Sequence, residues 1–270
     1  MSTTLADVIA VLEGLYPPAT AQSWDRVGLV TGDPGQPVGR IHLAVDPTTA
    51  VIDEARRLGA DLLLTHHPLL LRGVHSVATT TAKGAGVTAL IVADIALYVA
   101  HTNADVAANG VNAALAAACG LGSTQPLLLE EGQWMGRVGE LAESMTLGEF
   151  ARRLAGALPQ APVGVRVSGP ADAAVRRIAV AGGSGDGFFD AVRASGADVY
   201  VTADLRHHPA LEAREDARDG GPYLIDAGHW ASEATWLRPA ADALISRLGD
   251  AVEVFVSEIC TDPWSFVLAP

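Results

Sequence analysis

Residues 59–68 of the chain read GADLLLTHHP, and this stretch decides the fold class. The consecutive apolar residues Leu62 to Leu64 predict a strand that is buried on both faces. Two adjacent histidines, His66 and His67, follow the strand, and Pro68 ends it. On a continuing strand adjacent side chains point to opposite faces, so the two imidazoles can reach two different metal ions.

The alternation of strand and helix continues on both sides of this stretch. Further strands are predicted at residues 40–45 and 96–100, and helices at residues 4–15, 49–58, 82–93 and 109–118. This order is typical of an α/β fold. In such sheets ligands bind beyond the carboxyl ends of the strands, where His66, His67 and His101 all fall.

The second half of the chain repeats the pattern. Residues 196–202, GADVYVT, resemble residues 59–65, and residues 223–229 resemble residues 96–101, where an apolar strand also ends near a histidine. We therefore predict two similar α/β domains that arose by internal duplication, with a metal site in the cleft between them. The predicted domains are residues 1–125 and 126–270, and a C-terminal segment can pack back on the first.

The composition narrows the classes of partner. The net charge is −13 and the sequence pI is about 4.9, which disfavours binding to nucleic acid or to an anionic membrane. A small anionic substrate stays open, because a bound metal ion can reverse the sign of the local field. The N-terminus lacks the pattern of a signal peptide, and the two cysteines do not form a disulfide framework, so we expect a cytoplasmic protein.

Five side chains form the predicted metal site. His229 and Glu233 are four positions apart, and residues 232–247 are predicted to be helical, so a helix that starts near His229 places both on one face. Asp105 follows His101 in a loop rich in small residues and can bridge two ions. With His66 and His67 the set has too many ligands for one tetrahedral zinc site, and it fits two divalent transition-metal ions, Zn, Fe, Mn or Ni.

Other residues are candidates for substrate or proton handling. His101 is not needed as a ligand, so we assign it a catalytic role in proton transfer. A glycine-rich segment that includes Gly183, Ser184 and Gly185 follows a predicted strand at residues 177–180 and can offer backbone N–H groups to a phosphate. A tight turn without a ligand explains the same segment equally well. His208 is a weaker candidate for substrate binding.

Several separate motifs carry a family resemblance. They are SWDRVGL (23–29), THHP (65–68), HTNAD (101–105) with GVN (110–112), TAD (202–204) with His208, DAGH (226–229) with the following Ser232-Glu233, and TDP (261–263). In this order they resemble the motifs of the GTP cyclohydrolase type 2 homologues, also described as Ngg-interacting-factor-like proteins.

The resemblance implies a dinuclear metal centre with ligands at the same five positions, His66, His67, Asp105, His229 and Glu233. It also implies two similar α/β domains and a homo-oligomer, often a hexameric ring of dimers. The family name implies opening of the GTP imidazole ring. Two departures affect substrate contacts more than metal binding: Arg26 replaces the usual Asn, and Ala203 with Arg206-His207 replaces the usual Gly and Lys-Tyr.

Three hypotheses for function follow from the sequence. The first is a metal-dependent hydrolase that acts on a nucleotide-like or phosphoester substrate. The second is a non-catalytic metal-binding or regulatory protein that docks a partner. The third is a purely structural use of the histidines in a core.

Overall fold

The computed structural model describes residues 3–218 and 220–268, which fall into two compact units. The first unit comprises Met1–Asn109 and Leu237–Thr261, and the second comprises Gly110–Trp236 and Asp262–Pro270. Along the chain, the first unit boundary falls after Asn109, upstream of the boundary predicted after residue 125. The reason is that the helix after Gly110 packs on strands of the second sheet.

Strands and helices alternate through much of the chain, as the sequence predicts. Up to residue 121 they are α1 (Leu5–Leu15), β1 (Gly28–Thr31), β2 (Arg40–Ala44), α2 (Thr49–Leu58), β3 (Leu62–Thr65), α3 (Ala82–Val92), β4 (Ala96–Val99), α4 (Thr102–Val106) and α5 (Val111–Ala118). After it they are β5 (Thr124–Glu130), β6 (Gln133–Thr146), α6 (Leu147–Ala157), β7 (Arg166–Ser168), β8 (Ala174–Ser184), α7 (Phe189–Ser195), β9 (Val199–Ala203), α8 (His207–Ala217), β10 (Tyr223–Asp226), α9 (His229–Ala234), α10 (Leu237–Leu248) and β11 (Glu253–Val256). Among these helices none is both long enough and apolar enough to cross a membrane.

The sheet of the first unit has the strand order β1-β4-β3-β2-β11. Strands β11, β2, β3 and β4 are parallel to one another, and β1 pairs with β4 in the antiparallel sense. The register pairs Ala44 with Thr65 and Thr65 with Val99. The carboxyl ends of three neighbouring strands therefore meet at one edge of the sheet, and the residues after each strand lie side by side.

Local signals explain why β3 has the position it has. Helix α2 begins after Thr48, whose side chain accepts a hydrogen bond from the Val51 N–H, and it ends at Gly59, whose φ of 64° suits glycine. The turn delivers the chain directly into β3, all four residues of which are buried. Alternation along the strand places Leu63 in the core formed with Val51, Ile52 and other side chains of α2 and α3.

The sheet of the second unit has the strand order β5-β6-β8-β9-β10-β7. Its centre, β8, β9 and β10, is parallel, whereas β5, β6 and β7 pair with their neighbours in the antiparallel sense. Helices α5 and α6 contribute Leu115, Phe150 and Leu154 to a core against one face. Helix α7 contributes Phe189 and Val192 to a core that includes Tyr200 of β9.

The two sheets share one topological unit. In each, three consecutive parallel strands (β2-β3-β4 or β8-β9-β10) are joined by helices, and the strand that precedes them in the chain (β1 or β7) pairs with the third strand in the antiparallel sense. This correspondence covers more of the chain than the short sequence matches and supports the predicted duplication. The predicted α/β class is confirmed.

Three local expectations need correction. Asp105 lies in helix α4 and not in a loop, because the five residues after His101 form a short helical turn. The strand predicted at residues 177–180 extends through Ser184, so Gly183 and Ser184 are strand residues. Residues 232–247 form parts of two helices, α9 and α10, which are separated at Thr235 and the fully buried Trp236.

Candidate metal centre

Three histidines of the first unit lie close together at the carboxyl ends of two neighbouring strands. His66 and His67 follow β3, and His101 follows β4. One ring nitrogen of each lies within 4.8 Å of those of the other two. The parallel register of β3 and β4 explains this proximity, because it aligns the ends of the two strands. Together with Asp105, these histidines are called the first-unit cluster below.

His66 is the buried member of the cluster. Its Nδ1 donates a hydrogen bond to the carbonyl oxygen of Ala100 across 2.9 Å. A carbonyl oxygen only accepts, so the ring carries its proton on Nδ1, and Nε2 holds the lone pair that a metal ion would use. The Oδ1 atom of Asp105 lies 3.7 Å from this Nε2. A carboxylate and an imidazole nitrogen thus face the same point from different elements.

His67 is oriented by a carboxylate that the sequence analysis did not assign. Its Nδ1 lies 2.7 Å from Oδ1 of Asp46, which follows β2, the neighbour of β3. The other carboxylate oxygen of Asp46 accepts a hydrogen bond from the Thr261 hydroxyl. A carboxylate behind an imidazole fixes the tautomer and makes the remote nitrogen a stronger metal ligand.

His101 has a similar support from Asp25, whose Oδ1 lies 2.8 Å from His101 Nδ1. Oδ2 of Asp25 accepts hydrogen bonds from the Thr102 N–H at 3.0 Å and the Thr102 hydroxyl at 2.6 Å. Burial acts to raise the pKa of Asp25, but these hydrogen bonds and the charge of His101 outweigh it and hold that pKa well below its usual value. His101 is therefore built like the two predicted ligands, and the structure makes it a third candidate ligand. Its predicted catalytic role stays a prediction.

The second unit contains the other two predicted ligands. Helix α9 begins at His229, as the spacing requires, so His229 and Glu233 lie one turn apart on one face. His229 Nε2 is 3.1 Å from Glu233 Oε1, and its Nδ1 is 2.8 Å from Oδ2 of Asp204, which follows β9. His229 and Glu233 are called the second-unit cluster below. Asp204 supports it as Asp46 and Asp25 support the first-unit cluster.

The electrostatics of His229 favour a cation at this position. Burial acts to lower its pKa, but the hydrogen bonds and negative charges of Asp204 and Glu233 outweigh burial and raise the pKa to about 11. A carboxylate lies at each ring nitrogen, so the proton on Nε2 sits between an imidazole and a carboxylate. A divalent cation is suited to the same place, because both groups are ligands that transition metals prefer.

The glycine-rich segment packs against the second-unit cluster. A Cβ atom at Gly183 would overlap Oε1 of Glu233, and the φ of +66° is one that other residues rarely adopt. At Gly185 a Cβ atom would overlap the hydroxyl groups of Tyr200 and Thr202. Close packing therefore accounts for both glycines. The predicted role of Gly183, Ser184 and Gly185 in substrate binding stays a prediction.

His208 belongs to neither cluster. It lies in the first turn of α8, is exposed, and its ring contacts that of His207 with centroids 5.1 Å apart. Its predicted role in substrate binding also stays a prediction. The structure thus places His66, His67 and Asp105 in one cluster and His229 and Glu233 in another. The expectation that all five share one cleft remains a prediction.

Sequence reasoning missed the three supporting aspartates, Asp25, Asp46 and Asp204. A signal was present, because Asp204 directly follows β9 and Asp46 is the second residue after β2, as the histidines follow their strands. Asp25 lies in the SWDRVGL motif, but nothing in the local pattern connects it with a histidine 76 residues away.

Comparisons with known proteins agree with this architecture. A family model described as Duf34/NIF3 (NGG1p interacting factor 3) matches residues 3–263. A Streptomyces coelicolor protein named GTP cyclohydrolase 1 type 2 homolog is 50% identical, and the match covers 97% of this chain and 93% of that protein.

Solved structures show the same fold. A Bacillus cereus protein related to NIF3 superposes with a TM-score of 0.90 at 27% identity, covering 98% of this chain and 99% of the other. A Staphylococcus aureus hypothetical protein superposes with a TM-score of 0.89 at 29% identity, covering 99% and 100% of the two chains. The likeness extends over both units of the chain.

Proposed function

This chain belongs to the DUF34/NIF3 family, and from that premise we propose that it binds two divalent transition-metal ions and acts as a metal-dependent hydrolase on a nucleotide-like or phosphoester substrate. The proposed ligands are His66, His67 and Asp105 in the first-unit cluster and His229 and Glu233 in the second-unit cluster. The name of the Streptomyces relative, GTP cyclohydrolase 1 type 2 homolog, supports a nucleotide as the substrate class.

One observation carries the proposal: every histidine of the two clusters has its Nδ1 atom held by an acceptor. Ala100 O holds His66, and Asp46, Asp25 and Asp204 hold His67, His101 and His229. Metal-binding histidines almost always have such a partner on the second ring nitrogen, which orients the ring and raises its basicity. Four such pairs next to two further carboxylates are more than structural histidines require.

The side chains of the clusters indicate what they would contribute to hydrolysis. Imidazole and carboxylate donors fit zinc, iron, manganese or nickel, which when bound would supply Lewis acidity and a water of lowered pKa. Asp25 Oδ1 lies 2.8 Å from His101 Nδ1 and holds the ring in position. We propose that His101 uses this support to hold and transfer a proton during the reaction.

The family resemblance also supports self-association, and we propose a homo-oligomer, a hexameric ring of dimers. Near the end of the described chain, Trp264, Phe266, Val267 and Leu268 are all exposed, and an exposed apolar segment of this kind is typical of an association surface. Light scattering during size-exclusion chromatography tests the proposal. A mass equal to one chain contradicts it.

We further propose that the protein works in the cytoplasm. Neither cysteine is part of a disulfide bond; Cys119 is buried and Cys260 is half-buried. Cysteines outside disulfide bonds are typical of proteins in a reducing compartment. Fractionation of the producing cells tests the assignment, and recovery of the protein outside the cytoplasmic fraction contradicts it.

Metal analysis of untagged protein tests the proposed centre. We expect about two transition-metal ions per wild-type chain and a strong loss in the H66A/E233A double variant, because these residues belong to different clusters. The exposed His75 offers a matched control, and H75A should keep the wild-type content. Equal metal content in the double variant and in wild type contradicts the proposed ligands.

An assay of turnover distinguishes the proposed hydrolase from a non-catalytic metal-binding protein. Metal-loaded wild type should hydrolyse GTP or a simple phosphodiester faster than the metal-free protein, and the double variant should not. Full metal content with no turnover on either substrate favours the non-catalytic, regulatory alternative.

A further inference from the structure

Trp24 is a large aromatic side chain that lies exposed beside the first-unit cluster. The residue is 54% exposed, and its ring centroid lies 5.8 Å from that of His101, with the two planes at 82°. Burial of an indole contributes strongly to stability, and Trp230 and Trp236 of this chain are buried. Trp24 thus leaves much of an apolar ring in water next to the candidate metal ligands.

The loop that carries Trp24 is fixed on both sides of the ring. Before it, the Gln22 N–H donates to the Thr102 hydroxyl across 3.0 Å. After it, Asp25 accepts the three hydrogen bonds from His101 and Thr102, and its own N–H donates to the Gln22 carbonyl across 3.0 Å. The backbone on both sides of the indole is therefore held in position before any ligand arrives, which lowers the entropic cost of binding.

A cationic side chain follows in the same loop. The Arg26 guanidinium donates to the Asp25 carbonyl oxygen across 2.5 Å, and the Arg26 N–H donates to Asp25 Oδ1 across 2.7 Å. Arg26 is exposed, so further guanidinium N–H groups face solvent. In a chain of net charge −13, a fixed arginine here offers a local site for an anionic group.

We propose that Trp24 is the stacking surface for a planar heteroaromatic ring and that Arg26 binds an anionic group on the same ligand. The aromatic face supplies affinity for the ring, and the edge contact with His101 places that ring beside the first-unit cluster. The inference rests on the proposed function and narrows its substrate class. It selects a ring-bearing anion such as a nucleotide over a simple phosphoester.

Calorimetric titration of metal-loaded, full-length protein tests the inference with guanosine monophosphate as the probe. Loss of a stacking side chain weakens binding by roughly 5- to 150-fold, and we expect W24A to fall in this range. W24F keeps an aromatic face and should stay within about threefold of wild type. W134A is the matched control, because Trp134 is 55% exposed but lies in the second unit. The affinity of W134A for guanosine monophosphate should equal that of wild type.

Two further ligands separate the roles of the ring and the anion. Ribose 5-phosphate lacks the heteroaromatic ring, so W24A should bind it with the same affinity as wild type. Guanosine lacks the phosphate. R26A should therefore lower the affinity for guanosine monophosphate and leave the affinity for guanosine unchanged. Equal affinity of W24A and wild type for guanosine monophosphate overturns the inference, as does a metal-loaded wild type that does not bind it.

Metal content distinguishes failure of this inference from failure of the proposed function. W24A should retain the wild-type metal content, because the indole is not a metal ligand. A wild type that binds metal but not the nucleotide refutes the stacking site alone. A wild type without metal refutes the proposed centre itself.

Discussion

The carboxylate of Asp25 and the imidazole of His101 form a hydrogen-bonded pair, with Oδ1 and Nδ1 separated by 2.8 Å. The pair joins the loop before β1 to the end of β4, two segments that are 76 residues apart in the chain. It fixes the His101 ring within the first-unit cluster and, through the adjacent backbone, the position of Trp24. One buried carboxylate thus serves both the candidate metal ligands and the exposed aromatic ring.

Removal of the Asp25 charge should weaken metal binding without removal of any ligand. In D25N the side chain keeps its size but no longer presents a carboxylate to His101 Nδ1. Loss of such supporting partners typically lowers metal affinity by about 10- to 100-fold. Competition with a chromogenic chelator measures the affinity, and D172N, at an exposed position, is the control. Unchanged affinity in D25N would show that His101 is not a metal ligand, which leaves its proposed role in proton transfer.

Gly183 should be required for both stability and metal binding. Alanine there places a Cβ atom on Oε1 of Glu233 and strains a backbone with φ of +66°. We expect G183A to lose about 1–3 kcal/mol of unfolding free energy. It should also lower metal content, because Glu233 is displaced. Urea denaturation and metal analysis provide the two measurements.

Gly187 offers a matched control in the same segment. A Cβ atom at Gly187 meets no neighbour within 4 Å, and its φ is not in the left-handed range. G187A should therefore remain close to wild type in stability and in metal content. Equal behaviour of the two variants would mean that the contact between Gly183 and Glu233 does not constrain the site.

Strand ends could be predicted from the sequence because the signal there is local. A strand that begins with an apolar run ends directly before His66, and a second one ends three residues before His229, so both ends follow from the pattern alone. The i,i+4 spacing also predicted correctly that His229 and Glu233 share one helical face. These features depend only on residues within a few positions of each other.

The remaining features depend on contacts between distant segments. The pairing of Asp25 with His101 follows from the packing of a loop that has no periodic pattern. Helix α4, which carries Asp105, is five residues long and has no apolar repeat that could predict it. The division of residues 232–247 into α9 and α10 reflects burial of Trp236, a tertiary effect that helix propensity does not contain.

Acid stability should depend on Glu54 of α2. Its Oε2 accepts a hydrogen bond from the Ser257 hydroxyl across 2.5 Å and lies 2.8 Å from His42 Nε2. Burial acts to raise the pKa of Glu54, but the contacts with Ser257 and His42 outweigh it and lower the pKa below its ordinary value. The folded state therefore favours the carboxylate, and this contribution to stability is complete above the unfolded pKa and is lost as pH falls through the folded pKa.

Substitution of Glu54 by glutamine removes that contribution. We expect E54Q to be less stable than wild type near neutral pH, and the difference should shrink as pH falls below about 4.5. Urea denaturation at a series of pH values measures it, and E143Q, at an exposed position, is the control. A difference that is independent of pH would exclude ionisation of Glu54 as its source.

The two cysteines should differ sharply in reactivity. Burial raises the pKa of the Cys119 thiol to about 12, because the thiolate is poorly solvated in the core around α5, whereas Cys260 is partly exposed. Ellman's reagent at pH 8 should therefore label one thiol per native chain and two in denaturing urea. C260A should abolish native labelling, and C119A should leave it unchanged. Rapid modification of both thiols in the native protein would show that the core around Cys119 opens readily, contrary to its complete burial.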